Sequence, residues 1–343
     1  MSKIEYFDTE EGKLTLVYIE VGRHVPKYAL RNFRLTKKIH KSLSQIVFTD
    51  ANKEIDFVKT IHREQIPRSD KSKNFDLLRK EWPHKQEIFW LETTKRFFHL
   101  YDLMLHLNLR NVVHLESDSI LLEQKPLFEF FNNMDTQSMA YPLQASDLGC
   151  ASILLLKSFE VLGEFLDHIL DKWLQDMATD MTLLASFSHN ERVMILPTWP
   201  KEVDSKFFYD AGSIGQYFQG SDARNYRFPF SRRGRQDERL GTIYKNLSED
   251  NYSWNVIKKK NRLSIELILD GGKSHLVNIH MHSKQICSSL IVMSIILRIG
   301  FNTKRSFIWR LGFFDITVSI ERLVSFWRRR ILRKNHFTHI NLR

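Results

Sequence analysis

The 343-residue chain has 43% hydrophobic and 27% charged residues, a composition that indicates a packed protein and excludes a largely disordered one. Its formal net charge is +11, and residues 281–343 carry nearly all of the excess, with twelve Lys or Arg against two acids. The nearly neutral remainder argues against a nucleic-acid enzyme with a basic channel, and the longest apolar run, residues 290–297, is too short to span a membrane.

Two distant cysteines exclude a disulfide scaffold or a CxxC metal site. The first residues are polar and acidic, unlike a secretory signal. Both features favour a cytoplasmic protein.

Buried strands alternate with helices along the first two thirds of the chain. Residues 62–85 are rich in Lys, Arg, Ser and Pro and indicate a mobile loop. The predicted strands are 14–20, 44–50, 111–115, 138–141, 152–156 and 193–196. The predicted helices are a stretch ending near residue 41, then 86–107, 159–174 and 179–188.

This alternation predicts an α/β fold with a mostly parallel sheet and helices on both faces. Ligands of such sheets bind beyond the carboxyl ends of the strands. Polar or acidic segments lie at three of these ends, at Tyr18–Glu20, at Asp50 and at Glu116–Asp118. We therefore expect the functional site at this edge of the sheet.

Glu116 and Asp118 are separated by one residue at the end of a buried strand. Positions i and i+2 of an extended segment point to the same side, and two carboxylates on one side suit a hard divalent cation. A solvated turn that happens to contain two acids is the alternative.

The runs 96–104 (RFFHLYDLM) and 111–119 (NVVHLESDS) together resemble GT-A-type glycosyltransferases, in which a helix leads into a strand ending in an acidic DxD metal motif. The resemblance covers about residues 12–285 and is strongest to bacterial or viral enzymes of surface-polysaccharide synthesis. Glu116 replaces the first Asp of the common motif. The resemblance implies Mn²⁺ or Mg²⁺ bound directly by Asp118, with Glu116 as a second ligand or a contact to ribose or through water.

Residues 207–225 resemble the segment of the same enzymes that lines the sugar and acceptor side of the pocket. The resemblance implies that Asp210 and Gln216 bind sugar hydroxyls, although Asp210 could instead cap a helix beginning at Ala211. Asp180 resembles an acidic residue near the acceptor in related transferases, with an N-cap as the alternative. Asp180 and Asp210 are therefore both candidates for the general base.

The segment 276–284 alternates apolar and polar residues and places His280 and His282 on one face of a strand. It resembles the late His-x-x-x-Lys region of metal-dependent GT-A enzymes. The resemblance implies that one histidine completes the metal shell and that Lys284 contacts the diphosphate. His282 is favoured because it adjoins Ser283 and Lys284.

Aromatic, aliphatic and basic residues are interspersed over 301–335, a pattern typical of helices that lie in a membrane interface. The alternative is a helical cap that packs on the core. Interfacial helices would place the enzyme peripherally on an anionic membrane, next to a lipid-linked acceptor.

We therefore expect a GT-A catalytic domain over residues 1–285, Rossmann-like, and a basic C-terminal helical appendage over 286–343. The expected reaction moves a sugar from a nucleoside diphosphate sugar to a hydroxyl of a glycan or glycolipid, with Tyr18, Asp50 and Arg96 helping to hold the nucleotide. The rival interpretations are a nucleotidyltransferase, although no Gly-rich phosphate loop is visible near the N-terminus, and a non-catalytic protein that binds a membrane or RNA through its tail.

Overall fold

A computed structural model describes residues 14–22, 24–52, 54–80, 88–135, 138–173, 179–199, 206–215, 252–259, 262–269 and 272–281. The strands are β1 (Thr15–Glu20), β2 (Ser44–Thr49), β3 (Lys59–His62), β4 (Val112–Leu115), β5 (Ser119–Leu121), β6 (Met139–Ala145), β7 (Leu148–Gly149), β8 (Ile153–Leu156), β9 (Val193–Leu196), β10 (Phe207–Phe208), β11 (Tyr252–Lys259), β12 (Arg262–Leu269), β13 (Gly272–Leu276) and β14 (Asn278–His280). The helices are α1 (Lys27–Ile39), α2 (Asp70–Lys80), α3 (Ile88–Leu107), α4 (Lys125–Asn133), α5 (Phe159–Lys172) and α6 (Asp180–Phe187), with a 3-10 turn at Arg63–Gln65.

The main sheet has eight strands in the order β3-β2-β1-β4-β8-β6-β7, with β9 alongside β6. Neighbours from β3 to β4 are parallel, and so are β6 and β9. β8 is antiparallel to β4 and β6, and β7 is antiparallel to β6. The prediction of an α/β fold with a mostly parallel sheet is confirmed.

Both faces of the sheet are covered. On one face, which we call the α3 face, Val17 and Phe48 of the sheet pack with buried residues of α2, α3, α5 and α6. On the opposite face, the α1 face, Leu16 and Val47 pack with residues of α1 and α4. Alternate residues of one strand therefore enter different cores, because successive side chains of a strand point to opposite sides.

The prediction of a mobile loop over residues 62–85 is wrong for much of this segment, because the segment contains a 3-10 turn and α2. A buried carboxylate explains this order: Asp102 of α3 accepts hydrogen bonds from the Ser69 amide at 3.0 Å and the Ser72 hydroxyl at 2.8 Å. In addition, the rings of Phe75 and Phe98 stack with their centroids 4.3 Å apart. The segment is polar in sequence, so contacts with α3 rather than local periodicity hold it.

A left-handed residue ends α3 and directs the chain into β4. Asn108 has φ of 49°, and the amides of Asn108 and Leu109 donate to the carbonyls of Leu105 and Met104, respectively. This pair of bonds is the Schellman motif, which satisfies carbonyls left over at the end of a helix. The short link places α3 beside β4, and with it Arg96 close to Glu116.

Two smaller sheets complete the described fold. One has the order β10-β13-β12-β11, and the other consists of β14 and β5. The second is antiparallel and joins a segment near residue 280 to the residues that directly follow the acidic strand end. This long-range pairing determines which side chains meet at the site.

Three buried histidines make the stability of the fold dependent on pH. Burial lowers the pKa of all three: the pKa of His40 falls below its ordinary value, the pKa of His99 falls far below it, and the pKa of His114 falls to about 4. Unfolded histidine takes up a proton below about pH 6.5, so the unfolded state binds more protons than the folded state there, and stability falls as the pH falls through that value. Each such histidine changes the unfolding free energy by up to about 1.4 kcal/mol per pH unit.

We expect His99→Gln to reduce the dependence of stability on pH between 7 and 5, because it removes one group that must stay neutral in the fold. Urea unfolding at pH 7, 6 and 5 measures the slope for parent and variant. His106→Gln, at an exposed position of the same helix, is the matched control and should leave the slope unchanged. Equal slopes for His99→Gln and the parent would contradict the assignment.

Candidate metal centre

Three segments meet beyond the carboxyl end of β4 and bring potential metal ligands together. Glu116 follows β4 directly, Asp118 precedes β5, and β14 ends at His280. The pairing of β14 with β5 sets His280 opposite Ser119, and the Met281 amide donates to the Asp118 carbonyl at 2.8 Å. The backbone register therefore places the imidazole beside both carboxylates.

The three side chains form a compact group. His280 Nε2 lies 3.0 Å from Glu116 Oε2 and 3.2 Å from Asp118 Oδ1, and one ligand atom from each residue lies within 4.8 Å of the others. The histidine is buried, whereas the two acids are partly exposed. Two carboxylates and an imidazole fit a divalent cation such as Mn²⁺, and the carboxylates also suit Mg²⁺.

Charge within the group favours ionised carboxylates. Burial opposes the charged form of Glu116, but the guanidinium of Arg96 and the imidazole of His280 hold the pKa of Glu116 well below its ordinary value. Burial likewise opposes a charged His280, but Asp118 and Glu116 raise the pKa of His280 well above its ordinary value. Arg96 and the protonated imidazole therefore balance the negative charge of the group, and a divalent cation that binds here must displace the imidazole proton, because a histidine ligand is neutral.

Arg96 of α3 connects the group to α6. Its guanidinium contacts Glu116 through Nη1 and Asp180 Oδ2 through Nη2, the latter at 2.6 Å. Its side chain is 11% exposed, and those of Glu116 and Asp180 are 16% and 6% exposed. Such a charge bridge between two acids orients Glu116 and holds α6 against the site.

Asp180 does not cap α6, contrary to the alternative raised from the sequence. The N-cap is Thr179, whose side chain accepts a hydrogen bond from the Thr182 amide. Asp180 is the first helical residue and turns to Arg96 instead. Burial raises the pKa of the Asp180 carboxyl, and the Arg96 guanidinium offsets part of that increase.

The carboxylate of Asp210 is fully buried and accepts backbone N–H groups with both oxygens. Oδ1 accepts from Gly212 at 2.7 Å and Ile214 at 2.9 Å, and Oδ2 accepts from Gly215 and His280 at 2.8 Å each. Burial raises the pKa of the Asp210 carboxyl, and these N–H donors offset part of the increase. These contacts match the capping alternative and extend it to His280.

Tyr18 is a core residue, and the contacts of its side chain do not support its expected role in holding the nucleotide. It points to the α1 face, where its ring centroid lies 4.3 Å from that of Phe33 and its hydroxyl donates to Thr36 Oγ1 at 3.2 Å. It is fully buried, so its side chain presents no surface at the strand-end edge. Position at the end of a strand does not say which face a side chain takes.

Asp50 lies at the strand-end edge, as its position predicts. Its Oδ2 accepts a hydrogen bond from the Gly22 amide at 3.3 Å, which links the ends of β1 and β2. Asp50 also borders a cavity of about 480 Å³ on the α3 face. The cavity is lined by Asp50, Arg63, Glu64, Ile66, Arg68, Ser72, Phe75, Asp76, Lys95, Phe98 and His99.

Three predicted site residues, Gln216, His282 and Lys284, lie outside the described residues. The predicted Glu116, Asp118, Arg96 and Asp180 come together, and His280 joins them. The alternation of residues 276–284 left His280 and His282 as alternatives, and it did not single out Ser152 or Asn278, which lie behind the metal group. Asn278 was detectable only as a polar residue two positions before His280 in an alternating strand.

No protein-family model and no curated protein sequence matches the chain. Among solved structures, the glycosyltransferase GlyE of Streptococcus pneumoniae TIGR4 has 12% identity and a TM-score of 0.36, over 57% of this chain and 47% of GlyE. The chain thus spans about half the length of GlyE. The galactosyltransferase LgtC, solved with donor and acceptor sugar analogs, has 9% identity and a TM-score of 0.40, over 77% of this chain and 87% of LgtC.

A glycosyltransferase involved in glycosylation of the major capsid of PBCV-1 has 9% identity and a TM-score of 0.31, over 53% of this chain and 81% of that one. All three structures are glycosyltransferases.

Proposed function

We propose that the chain is a metal-dependent glycosyltransferase that moves a sugar from a nucleoside diphosphate sugar to a hydroxyl of a glycan or glycolipid. The observation that carries the proposal is the group of Glu116, Asp118 and His280, whose ligand atoms lie within 4.8 Å of one another at the end of a parallel strand. Ligands of α/β sheets bind at this edge, beyond the carboxyl ends of the parallel strands.

The chemistry of the group suits a diphosphate leaving group. Glu116, Asp118 and His280 would hold a divalent ion, which would supply positive charge to stabilise a departing nucleoside diphosphate. Arg96 is a buried cation beside Glu116, so it adds positive charge to an otherwise acidic site. Preorganised charge of this kind acts most strongly where water is excluded.

Of the two candidate bases, Asp210 accepts two backbone N–H groups with each carboxylate oxygen, whereas Asp180 has one oxygen in its ion pair with Arg96. Asp180 is therefore the candidate that we propose to act near the acceptor. His282 as a metal ligand, Lys284 as a diphosphate contact and Gln216 as a sugar contact stay predictions. His280 is the histidine for which the described contacts argue.

The cavity beside Asp50 is our proposed location for the nucleoside part of the donor. Phe75 and Phe98 line it with apolar surface, and Asp50 and Lys95 supply polar contacts. Lys95 is adjacent in α3 to Arg96, which contacts Glu116. A donor could therefore extend from the cavity to the metal group along one helix.

The test is a panel of nucleoside diphosphate sugars incubated with the full chain and Mn²⁺, Mg²⁺ or EDTA. We expect metal-dependent release of the nucleoside diphosphate from at least one donor. Release of pyrophosphate from a nucleoside triphosphate would instead support the nucleotidyltransferase alternative. Absence of turnover with every donor and both metals would contradict the proposal.

We also propose that residues 1–285 form the catalytic unit and that the basic region 286–343 places it on an anionic membrane surface near a lipid-linked acceptor, on the cytoplasmic side. That region lies outside the described residues. Among the helices that the structure describes, none is long and apolar enough to cross a membrane. Basic residues near an anionic surface each contribute about 1 kcal/mol to binding.

Deletion of residues 300–343 should therefore leave hydrolysis of the donor at the parent rate and abolish binding to vesicles containing an anionic lipid. Sedimentation with such vesicles measures binding, and vesicles of neutral lipid alone are the control. If the deletion abolished hydrolysis as well as vesicle binding, it would contradict the proposal that catalysis resides in residues 1–285 and membrane binding in residues 286–343.

A further inference from the structure

A buried polar network lies directly behind the metal group and touches all three of its segments. The Ser152 carbonyl accepts from the Glu116 amide at 3.4 Å, and the Ser152 hydroxyl donates to the Asp210 carbonyl at 2.6 Å. The Asp210 carboxylate in turn accepts the His280 amide at 2.8 Å. One chain of hydrogen bonds thus joins the segment of Glu116 to that of His280.

Asn278 connects the same network to the third ligand. Its Nδ2 donates to Ser119 Oγ at 3.2 Å, and Ser119 directly follows Asp118. The same nitrogen lies 3.3 Å from the Asp210 carbonyl, while Asn278 Oδ1 accepts the Asp210 amide at 3.1 Å. Asn278 is fully buried, so its amide has these protein groups rather than bulk solvent as partners.

The turn that carries Asp210 is held tightly against β14. A Cβ atom on Gly215 would lie 1.7 Å from the His280 carbonyl oxygen, so only glycine fits there. Gly212 in the same turn has φ of 99°, which a residue with a side chain rarely adopts. The turn therefore holds the Asp210 carboxylate in close contact with the backbone of His280.

We propose that Asp210 and Asn278 are positioning residues, which set the spacing of Glu116, Asp118 and His280 without contacting the metal ion themselves. This inference rests on the proposed metal-dependent function and changes the predicted role of Asp210 from general base to positioning residue. Outer-shell groups that orient ligands typically change metal affinity by about 10–100-fold when they are replaced.

The test is the affinity of the full-length protein for Mn²⁺ in the absence of any nucleotide sugar. Asp210→Asn keeps the shape of the side chain, but its NH₂ group cannot accept the N–H groups that one carboxylate oxygen accepts. We expect it to weaken Mn²⁺ binding by about 10–100-fold, measured from the electron paramagnetic resonance signal of free Mn²⁺. The spectrum of bound Mn²⁺ should also change.

The matched control is Asp102→Asn, which alters another buried carboxylate that accepts an amide and a hydroxyl but belongs to the α2–α3 contact. It should destabilise the fold and leave Mn²⁺ affinity at the parent value. An equal loss of affinity in Asp102→Asn, or parental affinity in folded Asp210→Asn, would overturn the inference.

Ser152→Ala is a milder variant that tests the inference should Asp210→Asn not fold. It removes one donor to the Asp210 carbonyl while the Asn278 donor stays. We expect a smaller loss of Mn²⁺ affinity, and parental affinity would overturn the inference. If the parent itself bound no Mn²⁺, the proposed metal-dependent function would fall and this inference with it, whereas parental binding by the variants would overturn the inference alone.

Discussion

Asp118→Ala should abolish metal-dependent release of nucleoside diphosphate, with kcat/KM falling by roughly 100-fold or more. A catalytic metal contributes several kcal/mol of charge stabilisation, and about 1.4 kcal/mol corresponds to a tenfold change in rate. Asp118 lies 3.2 Å from His280 Nε2 and is partly exposed, so its loss removes a ligand without opening a cavity in the core. The rate of donor hydrolysis with saturating Mn²⁺ measures the effect.

Asp171→Ala provides a matched control, since Asp171 is an exposed acid of α5 outside the metal group. It should hydrolyse the donor at the parent rate. If Asp118→Ala itself transferred or hydrolysed the nucleotide sugar at the parent rate, the assignment of Asp118 as a metal ligand would be wrong.

Arg96→Met should cost both stability and activity. Arg96 is the countercharge that the structure places between the side chains of Glu116 and Asp180, and all three are largely buried. Removing one partner of a buried ion pair leaves an uncompensated charge and typically destabilises by about 3–5 kcal/mol. Urea unfolding measures the stability, and donor hydrolysis by the remaining folded protein measures the activity.

Two further variants separate the loss of charge pairing from the loss of packing. Arg96→Met combined with Asp180→Asn should be more stable than Arg96→Met alone, since the second substitution removes the charge of Asp180 while Glu116 still contacts His280. Arg192→Met, which breaks an ion pair with Glu164 whose side chains are 37% and 41% exposed, should cost no more than about 1 kcal/mol. An Arg96→Met protein no less stable than Arg192→Met would contradict the role of Arg96.

Local sequence patterns predicted most of the main sheet. β1, β2, β4, β8 and β9 all lie within predicted strands, and α3 and α5 lie within predicted helices. Except for β9, whose Met194 and Ile195 are exposed, these elements are long or bear continuous apolar runs, so burial dominates their residue choice. The pattern failed at α2, because its order comes from a buried carboxylate and a ring contact supplied by α3.

The acidic end of β4 was likewise visible in the sequence, since a buried run leading into Glu116 and Asp118 needs no distant contact to be noticed. The histidine at the site was not settled by the sequence, because alternation puts His280 and His282 on the same face. The antiparallel register of β14 with β5 sets His280 opposite Ser119. That register joins residues about 160 positions apart, which no local periodicity encodes.

The sequence by itself therefore determined the α/β class, the parallel arrangement and the edge at which the acids lie, because burial and chain direction are local properties. Only the tertiary structure decided what each polar side chain at that edge contacts. The side chain of Tyr18 lies in the core, the carboxylate of Asp210 accepts backbone N–H groups, and Arg96 lies between two acids. Such contacts depend on the packing of distant segments, and in this protein that packing gathers Glu116, Asp118 and His280 into one group.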